Sequence, residues 1–197
     1  QTDMIILASG SASRRAMLEA AGVAFTSIPP ALDERALEAS LSGAPPAQIA
    51  LALAQAKALA VAADRPDALV LGSDSLLVVD GERFDKPANR QAAATHLRRF
   101  SGRVMELHSA AALARGAEGV WHHAALARLH VRPLSDAFID HYLDREWPAI
   151  GGCVGAFRME GPGVQLFDAV EGDHFTILGM PLLPVLGALR EQGVLPA

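Results

Sequence analysis

The feature that most constrains this chain is its opening segment, residues 4–18, which reads as a strand, a loop of small residues and the start of a helix. Residues 4–7 form an apolar run of strand length. The six residues that follow carry almost no side-chain bulk, so the backbone there can approach a ligand closely. Ser11 or Ser13 can cap the helix. The segment therefore predicts a strand and a helix joined by a loop that is able to hold a ligand.

Two adjacent cations, Arg14 and Arg15, stand in the first turn of that expected helix. The helix dipole already presents partial positive charge there, so each cation is disfavoured by roughly 0.3–1 kcal/mol. A bound anion would remove this conflict, because free main-chain N–H groups, serine hydroxyls and two guanidinium groups would converge on it. Two interpretations stay open at this point: a phosphate site, and an exposed first turn with two solvated arginines.

The length and charge of the chain exclude several classes of protein. A chain of 197 residues is long enough for one domain with a sizeable core, and we expect a single domain over residues 1–197. The net charge of −5 argues against nucleic acid as a partner. The lone cysteine, Cys153, excludes an intrachain disulfide, fits a reducing compartment and is expected to be a buried structural thiol.

We expect a cytoplasmic protein that does not contact a membrane. No apolar run reaches the roughly 18 residues of a membrane span. The N-terminal residues lack the basic region and long apolar stretch of a signal peptide. Residues 1–3 are expected to precede the natural start of the chain at Met4.

Periodicity and turn residues predict an early alternation of strands and helices, followed by a long antiparallel hairpin. The expected helices cover residues 13–21, 46–63, 89–100, 135–146 and 180–193. The expected strands cover residues 23–28, 68–71, 76–79, 104–114 and 120–131, with a turn at 72–75, a hairpin at 80–82 and short glycine-punctuated strands over 150–173. This order predicts an α/β fold with a mixed sheet in one two-lobed domain.

Asp74 is the best candidate for chemistry outside the opening loop. It lies between two apolar strands, where a carboxylate needs a partner or a metal ion. The alternative is a turn-forming aspartate that bonds nearby amides.

Two adjacent acids, Asp33 and Glu34, lie in a predicted loop earlier in the chain. Such pairs are usually solvated. They become candidate metal ligands if another carboxylate lies nearby, since hard divalent cations take oxygen ligands.

Two lysines are also candidates. Lys57 lies at the edge of the core stripe predicted for its helix, which consists of Ile49, Leu53, Ala56 and Ala60. Spacing slightly favours a lysine that extends its ammonium group to water over one that points into the protein. Lys86 precedes Pro87, which holds it in an extended conformation, so we expect it to project from a rigid loop.

Together these stretches resemble the Maf family of nucleoside triphosphate pyrophosphatases. The matching stretches occur in the family order over almost the whole chain, at residues 7–11, 14–15, 33–34, 56–58, 72–74, 80–82, 86–87, 101–102 and 179–182. The resemblance implies a fold like that of inosine triphosphatases: an elongated mixed α/β sheet with flanking helices, two lobes around a central cleft, and usually a homodimer. It also implies cleavage of the α–β phosphoanhydride of a nucleotide to a monophosphate and pyrophosphate.

The resemblance further implies roles for individual residues. Asp74 would be the general base, and Glu34 with Asp74 would hold Mg²⁺ or Mn²⁺. Five residues would bind the triphosphate: Ser9, Arg14, Arg15, Lys57 and Lys86. The full substrate-binding set adds Ser11, Ser13, Ser75 and Glu160.

Glu160 is the residue that points to a particular base. Its sequence context resembles the branch of the family that acts on 7-methyl-GTP, whereas the branch acting on dTTP and UTP typically has Gln there. A carboxylate suits guanine, since it accepts from both N–H groups on that edge. Ser13 and Ser75 depart from the pattern of the 7-methyl-GTP branch, which commonly has an aromatic residue and Gln at these positions.

We therefore expect 7-methyl-GTP as the favoured substrate. The alternatives are a dTTP/UTP pyrophosphatase, a non-catalytic nucleotide-binding regulator of septum formation (a process with which the family has been associated), and a generic phosphate-binding α/β module.

Overall fold

The computed structural model describes residues 4–197, so the expectation about residues 1–3 lies outside the described part of the chain. The described chain is an α/β fold with a mixed sheet of seven strands, as predicted. The strands are β1 (Ile5–Leu7), β2 (Phe25–Ser27), β3 (Leu69–Val79), β4 (Glu82–Phe84), β5 (Val104–Arg115), β6 (Glu118–Val131) and β7 (Phe167–Glu171). The helices are α1 (Ala12–Ala20), α2 (Glu34–Ser40), α3 (Pro46–Ala62), α4 (Arg90–Phe100), α5 (Asp136–Glu146), α6 (His174–Leu178) and α7 (Leu182–Glu191).

The sheet has the strand order β2-β1-β3-β5-β6-β7, and β4 pairs with β3 beside this path. β1 is parallel to both β2 and β3, while the β3–β4 and β6–β7 pairs are antiparallel. The described chain divides into two compact units. Unit 1 consists of the residues up to Ser75, His108–Ala125 and Asp173–Ala197; unit 2 consists of Leu76–Leu107 and Leu126–Gly172.

Unit 1 is held together by two apolar clusters that share strand β3. Leu69 and Leu71 pack in the cluster that also contains buried residues of β1, α1 and α7. Val70 packs in the other cluster, with Ala58 and Val61 of α3. Successive side chains of a strand point to opposite faces, so β3 is covered on both faces in this unit.

β3 runs without interruption through residues 72–75, so the predicted turn there is wrong. Gly72 has a packing role instead. A Cβ atom at Gly72 would clash with the Ala54 carbonyl oxygen and lie 2.7 Å from the Ala58 main-chain nitrogen. The glycine therefore lets the backbone of α3 approach the strand closely, and no turn is needed to explain it.

α3 confirms the helix predicted over residues 46–63, but its buried face differs from the predicted stripe. The buried residues include Ile49, Leu53, Lys57 and Val61, whereas Ala56 and Ala60 are only partly buried. Alanine and leucine residues of this helix occur on all of its sides, so the positions of its apolar residues do not identify one face. Lys57 consequently lies within the buried face.

Two short helices were not predicted. α2 occupies part of the stretch expected to be a loop, and α6 precedes the last helix. The glycine-rich segment 150–173 contains two 3₁₀ helices, Ala149–Gly152 and Pro162–Leu166, in addition to β7. The remaining predicted helices and the hairpin at Asp80–Gly81 are confirmed, with both hairpin residues at positive φ.

Unit 2 contains the contact between helices α4 and α5. Leu97 and Phe100 of α4 and Leu143 of α5 are buried. The two helices are capped by Asn89 and Ser135, whose side chains accept from main-chain N–H groups of the first turn, as the sequence predicted.

Candidate active site

A cluster of charged side chains, two of them buried and the third, Glu34, half-exposed, forms where α2, α3 and β3 meet in unit 1. Lys57 and Asp74 are each 8% exposed. The Lys57 ammonium group donates to Asp74 Oδ1 at 2.7 Å and lies 3.1 Å from Glu34 Oε1. Lys57 thus points into the protein, and the slightly favoured interpretation of a lysine extending to water is wrong. Because both carboxylates contact one nitrogen, Glu34 and Asp74 are neighbours.

Backbone geometry explains why these residues meet. Val70, Gly72 and Asp74 alternate along β3, so they share the face that packs against α3. Asp33 caps α2 by accepting from the Ala36 N–H, which places Glu34 at the first position of that helix. The adjacent acids therefore have separate roles: Asp33 is a cap, and Glu34 belongs to the cluster.

One carboxylate oxygen of Asp74, Oδ2, is buried and has no hydrogen-bond partner among residues 4–197, and we call it the open oxygen. Burial raises the pKa of Asp74 and the charge of Glu34 adds to this, while Lys57 and Arg14 act in the opposite direction. The interpretation as a turn-forming aspartate is wrong, since Asp74 lies within a strand. A buried carboxylate with a raised pKa and an open oxygen is suited to accept a proton.

The loop after β1 is fixed by its own serines. Ser11 caps α1, because its Oγ accepts from the Arg14 N–H at 3.3 Å. Ser9 is buried, its Oγ accepts from the Ser11 N–H at 3.1 Å, and its carbonyl accepts from the Ser27 hydroxyl. Ser13 is exposed and donates to the Leu178 carbonyl at 2.7 Å. Of the two cap candidates, the structure thus selects Ser11.

The two arginines of α1 have different environments. Arg14 donates from Nε to the Gly179 carbonyl at 2.9 Å and from Nη2 to Ser75 Oγ at 3.1 Å. Burial lowers the pKa of Arg14, and the charges of Asp74 and Glu34 oppose this effect. Arg15 is exposed on the helix surface. Only Arg14 is therefore drawn toward the charged cluster.

Three serine hydroxyl groups on the other face of β3 and on β5 are joined to neighbouring oxygens; Ser75 among them was named from the sequence, but the buried Ser73 and Ser109 were not. Ser75 Oγ lies 2.9 Å from Ser109 Oγ, and Ser109 donates to the Thr176 carbonyl at 2.9 Å. Ser73 donates to the Ala110 carbonyl at 2.8 Å. Serines within apolar strands are a signal that could have found this network, because a buried hydroxyl needs a partner.

Lys86 and Glu160 belong to unit 2. Lys86 is exposed in the loop that follows β4, next to the buried Pro87, as predicted. Glu160 is exposed in a tight turn that is closed by the bond from the Gly161 N–H to the Arg158 carbonyl at 3.2 Å. Cys153 is half-buried; burial is the main cause that raises the pKa of its thiol, and Glu160 contributes further.

The donor atoms fit a hard divalent cation. Within residues 4–197 no group of three or more His, Cys, Asp or Glu side chains is placed to hold a metal ion. Glu34 and Asp74 nevertheless offer oxygen atoms, and Asp74 Oδ2 has no other partner in the described chain. Mg²⁺ is commonly held by one or two carboxylates together with waters and substrate phosphates. Two carboxylates are therefore a sufficient protein contribution.

Comparisons with known proteins give a consistent result. A family model described as "Maf-like protein" matches residues 4–192. The 7-methyl-GTP pyrophosphatase of Rhizobium meliloti (strain 1021) is 50% identical over 196 residues, which are 98% of each chain. The nucleoside triphosphate pyrophosphatase of Granulibacter bethesdensis is 47% identical over 193 residues, which are 97% of this chain and 98% of that protein.

Solved structures give a weaker match. A HAM1 protein from Coxiella burnetii has a TM-score of 0.43 and 16% identity, over 65% of this chain and 72% of that chain. The full-length matches therefore define the class, which comprises relatives named as nucleotide pyrophosphatases. The chain belongs to the Maf family, as its motifs indicated.

None of the helices within residues 4–197 has the length and apolar character needed to cross a membrane.

Proposed function

We propose that this chain is a nucleoside triphosphate pyrophosphatase that releases pyrophosphate and a nucleoside monophosphate, with 7-methyl-GTP as the favoured substrate. The observation that carries the proposal is the open oxygen of the buried Asp74, beside Lys57 and Glu34. Relatives that are 50% and 47% identical over their full length are named 7-methyl-GTP pyrophosphatases, which supports the same reaction. Because Asp74, Glu34 and Lys57 are all present and assembled, a catalytic role is favoured over a non-catalytic regulator.

Asp74 acts as the general base in this proposal. Water attacks the α-phosphorus in line with the leaving pyrophosphate, and Asp74 Oδ2 accepts the proton of that water. A raised pKa makes a carboxylate a stronger base, provided that it is ionised at the working pH. Lys57 holds the carboxylate through Oδ1, and Oδ2, which has no hydrogen-bond partner in the described chain, is the oxygen that we assign to accept the proton.

The phosphates are bound by the cations and hydroxyls of the opening segment. Arg14 uses Nε and one Nη2 hydrogen on the protein, so its remaining N–H groups are available to phosphate oxygens. Ser9, Ser11, Ser13, Arg15, Lys57, Ser75 and Lys86 complete the set that we assign to substrate. Positive groups at the phosphates stabilise the charge that develops on the leaving oxygens.

Glu34 and Asp74 are the residues that would hold Mg²⁺ or Mn²⁺. Such an ion, when bound, neutralises charge on phosphate oxygens. Glu160 reads the guanine edge by accepting from two N–H groups. The alternative substrates are dTTP and UTP, which offer one N–H donor each and match a carboxylate less well.

We further propose that the chain acts as one domain, as a homodimer, in the cytoplasm. The family match extends across both units, which supports one functional domain. A nucleotide substrate and the single cysteine fit a reducing compartment that contains nucleotides. Light scattering of the purified protein tests the dimer directly, since a monomer mass would contradict it.

A nucleotide screen with pyrophosphate detection tests the proposal. We expect release from 7-methyl-GTP above that from GTP, UTP and dTTP, loss of release with EDTA and recovery with Mg²⁺ or Mn²⁺. Asp74→Asn should lose this release, and Asp67→Asn is its matched control, because Asp67 is an exposed carboxylate close to the start of β3. Wild-type protein that releases no pyrophosphate from any nucleotide, while Tm shows it folded, would contradict the proposed reaction.

A further inference from the structure

Two residues of helix α5 form hydrogen bonds with the segment that carries Glu160. Tyr142 and Glu146 are one helical turn apart on α5, so they lie on the same face. The Tyr142 hydroxyl donates to the Ala156 carbonyl at 2.7 Å. Glu146 is 3% exposed, and its Oε2 accepts from Arg158 Nε at 3.0 Å and from Nη2 at 2.9 Å. These three hydrogen bonds lie in unit 2 and involve Ala156 and Arg158, the two residues that flank Phe157.

The turn that holds Glu160 is built around Arg158. The Arg158 carbonyl accepts from the Gly161 N–H at 3.2 Å. A Cβ atom at Gly163 would lie 2.5 Å from that carbonyl oxygen and 2.7 Å from the Arg158 nitrogen, so the chain folds back tightly on this residue. A Cβ atom at Gly161 would lie 3.6 Å from Glu146 Oε1 and 3.9 Å from Arg158 Nη2. The ion pair therefore lies directly beneath the turn.

Stability alone does not account for a buried carboxylate in this place. Removing a charge from water is costly, and apolar side chains of similar volume are often as stabilising as a buried ion pair, or more so. The pair does supply direction, because the guanidinium group makes two bonds in a fixed planar geometry. The hydrogen bond and charge of Glu146 raise the pKa of Arg158, and the charge of Glu160 adds to this effect.

We propose that Glu146 and Arg158 are positioning residues that hold the 158–161 turn in the geometry in which Glu160 discriminates between nucleobases. The inference rests on the proposed function, in which Glu160 reads the base. Neither residue contacts the reacting phosphates in this assignment, so the pair acts on base discrimination and leaves the chemical step unaffected.

The test uses two variants that weaken the pair in different ways. Arg158→Lys keeps the charge and removes the planar fork. The double variant Glu146→Leu with Arg158→Met removes the pair without leaving a buried charge unpartnered. For each, kcat and KM are measured with 7-methyl-GTP, GTP, UTP and dTTP, and Tm reports folding. Arg90→Lys is the matched control, because Arg90 of α4 forms an exposed ion pair with Asp144, which lies on α5 as Glu146 does.

We expect discrimination, taken as the ratio of kcat/KM for the best and worst nucleotides, to fall about tenfold in both variants. The fall should come from KM for the preferred nucleotide, with kcat within about twofold of wild type. The Arg90→Lys control should keep wild-type discrimination. A folded double variant with unchanged discrimination would show that the pair is merely structural, and this would overturn the inference.

The remaining outcomes also decide the matter. If the double variant does not fold, Arg158→Lys carries the test, and unchanged discrimination there overturns the inference. Wild-type protein that is active but prefers UTP or dTTP shows that Glu160 does not set the base, and this overturns the inference while the proposed pyrophosphatase reaction stands. Wild-type protein without pyrophosphate release from any nucleotide overturns the proposed function, and this inference fails with it.

Discussion

The two units each bury a carboxylate against a cation, and they do so differently. In unit 1, Lys57 occupies one oxygen of Asp74 and leaves the other open. In unit 2, Arg158 places two N–H groups on one oxygen of Glu146. An ammonium group is a point charge that tolerates a second partner nearby, whereas a guanidinium fork fixes direction. The first arrangement suits a group that must accept a proton, and the second suits a group that must hold a loop still.

The largest expected effect tests the open oxygen of Asp74. Asp74→Asn keeps the shape of the side chain but loses the base and a metal ligand, so we expect pyrophosphate release to fall about 10²–10⁴-fold or more. Glu146→Gln in the same assay should leave kcat within about twofold of wild type if its role is positional. An Asp74→Asn variant that is nearly as active as wild type would end the distinction between the two carboxylates.

The next effect concerns the turn above the Glu146–Arg158 pair. Glu160→Gln exchanges two acceptor oxygens for one acceptor and one donor, which leaves a guanine N–H unpaired at a cost of about 1–3 kcal/mol. We expect kcat/KM for 7-methyl-GTP to fall about ten- to a hundredfold at that cost, while activity on UTP or dTTP holds or rises. Steady-state kinetics of both proteins on all three nucleotides provide the measurement. Equal losses on every nucleotide would remove Glu160 from base recognition, and Ser13 and Ser75 would be examined next.

A smaller effect is expected at the edge of the Lys57 cluster. Glu34→Gln removes one charged oxygen ligand, so half-maximal activity should need about tenfold more Mg²⁺. Kinetics over a series of Mg²⁺ concentrations measure the shift, with Glu38→Gln, on the same helix, as a comparison. If the Mg²⁺ dependence of Glu34→Gln matches wild type, Glu34 serves only as an ionic partner of Lys57.

The smallest effect is on stability, and its sign should differ between the units. Folding raises the pKa of Asp74, so the folded chain binds this proton more tightly than the unfolded chain. The contribution of this group to the free energy of unfolding is greatest below the ordinary aspartate pKa. It is lost as the pH rises through the pKa that Asp74 has in the folded chain. Asp74→Asn should therefore unfold at a higher Tm than wild type at neutral pH in EDTA, and the gain should vanish in acid.

Glu146→Gln should lower Tm instead. It replaces two charge-assisted bonds with weaker ones and leaves Arg158 without its partner charge, which costs about 1–3 kcal/mol. Thermal unfolding of both variants, measured together from acid to neutral pH, gives the comparison. Shifts of the same sign at neutral pH would mean that the two buried carboxylates do not differ in the way described.

Much of the fold was predictable because long elements repeat their pattern several times. α4 and α5 have clear caps and a readable apolar face, so their bounds were predicted closely. α2 and α6 have only 7 and 5 residues, too few for a helical period to appear. Asp33 was nonetheless a readable capping signal, since its side chain bonds the first turn of α2.

Part of the site was also predictable, and the reasons for the misses are physical. Asp74 was identified because a charge between apolar strands needs a partner. The orientation of Lys57 was not, because α3 is apolar on every side and its buried face cannot be read from periodicity. Glu146 gave no signal, since an acid at the end of an amphipathic helix is ordinarily exposed. Its burial depends on Arg158, a contact between residues 12 apart in the chain that no local pattern encodes.

Gly72 sets how closely helix α3 can pack against strand β3. The Ala58 nitrogen lies so near the strand that even one methyl group at position 72 would be too close to it. Lys57 precedes Ala58 on the helix and Asp74 follows Gly72 by two residues on the same face of the strand, so this clearance also fixes how far apart ammonium and carboxylate stand. The position of the proposed base relative to Lys57 thus depends on the absence of a Cβ atom at Gly72. A drift in catalytic alignment can begin at a residue that touches neither water nor nucleotide.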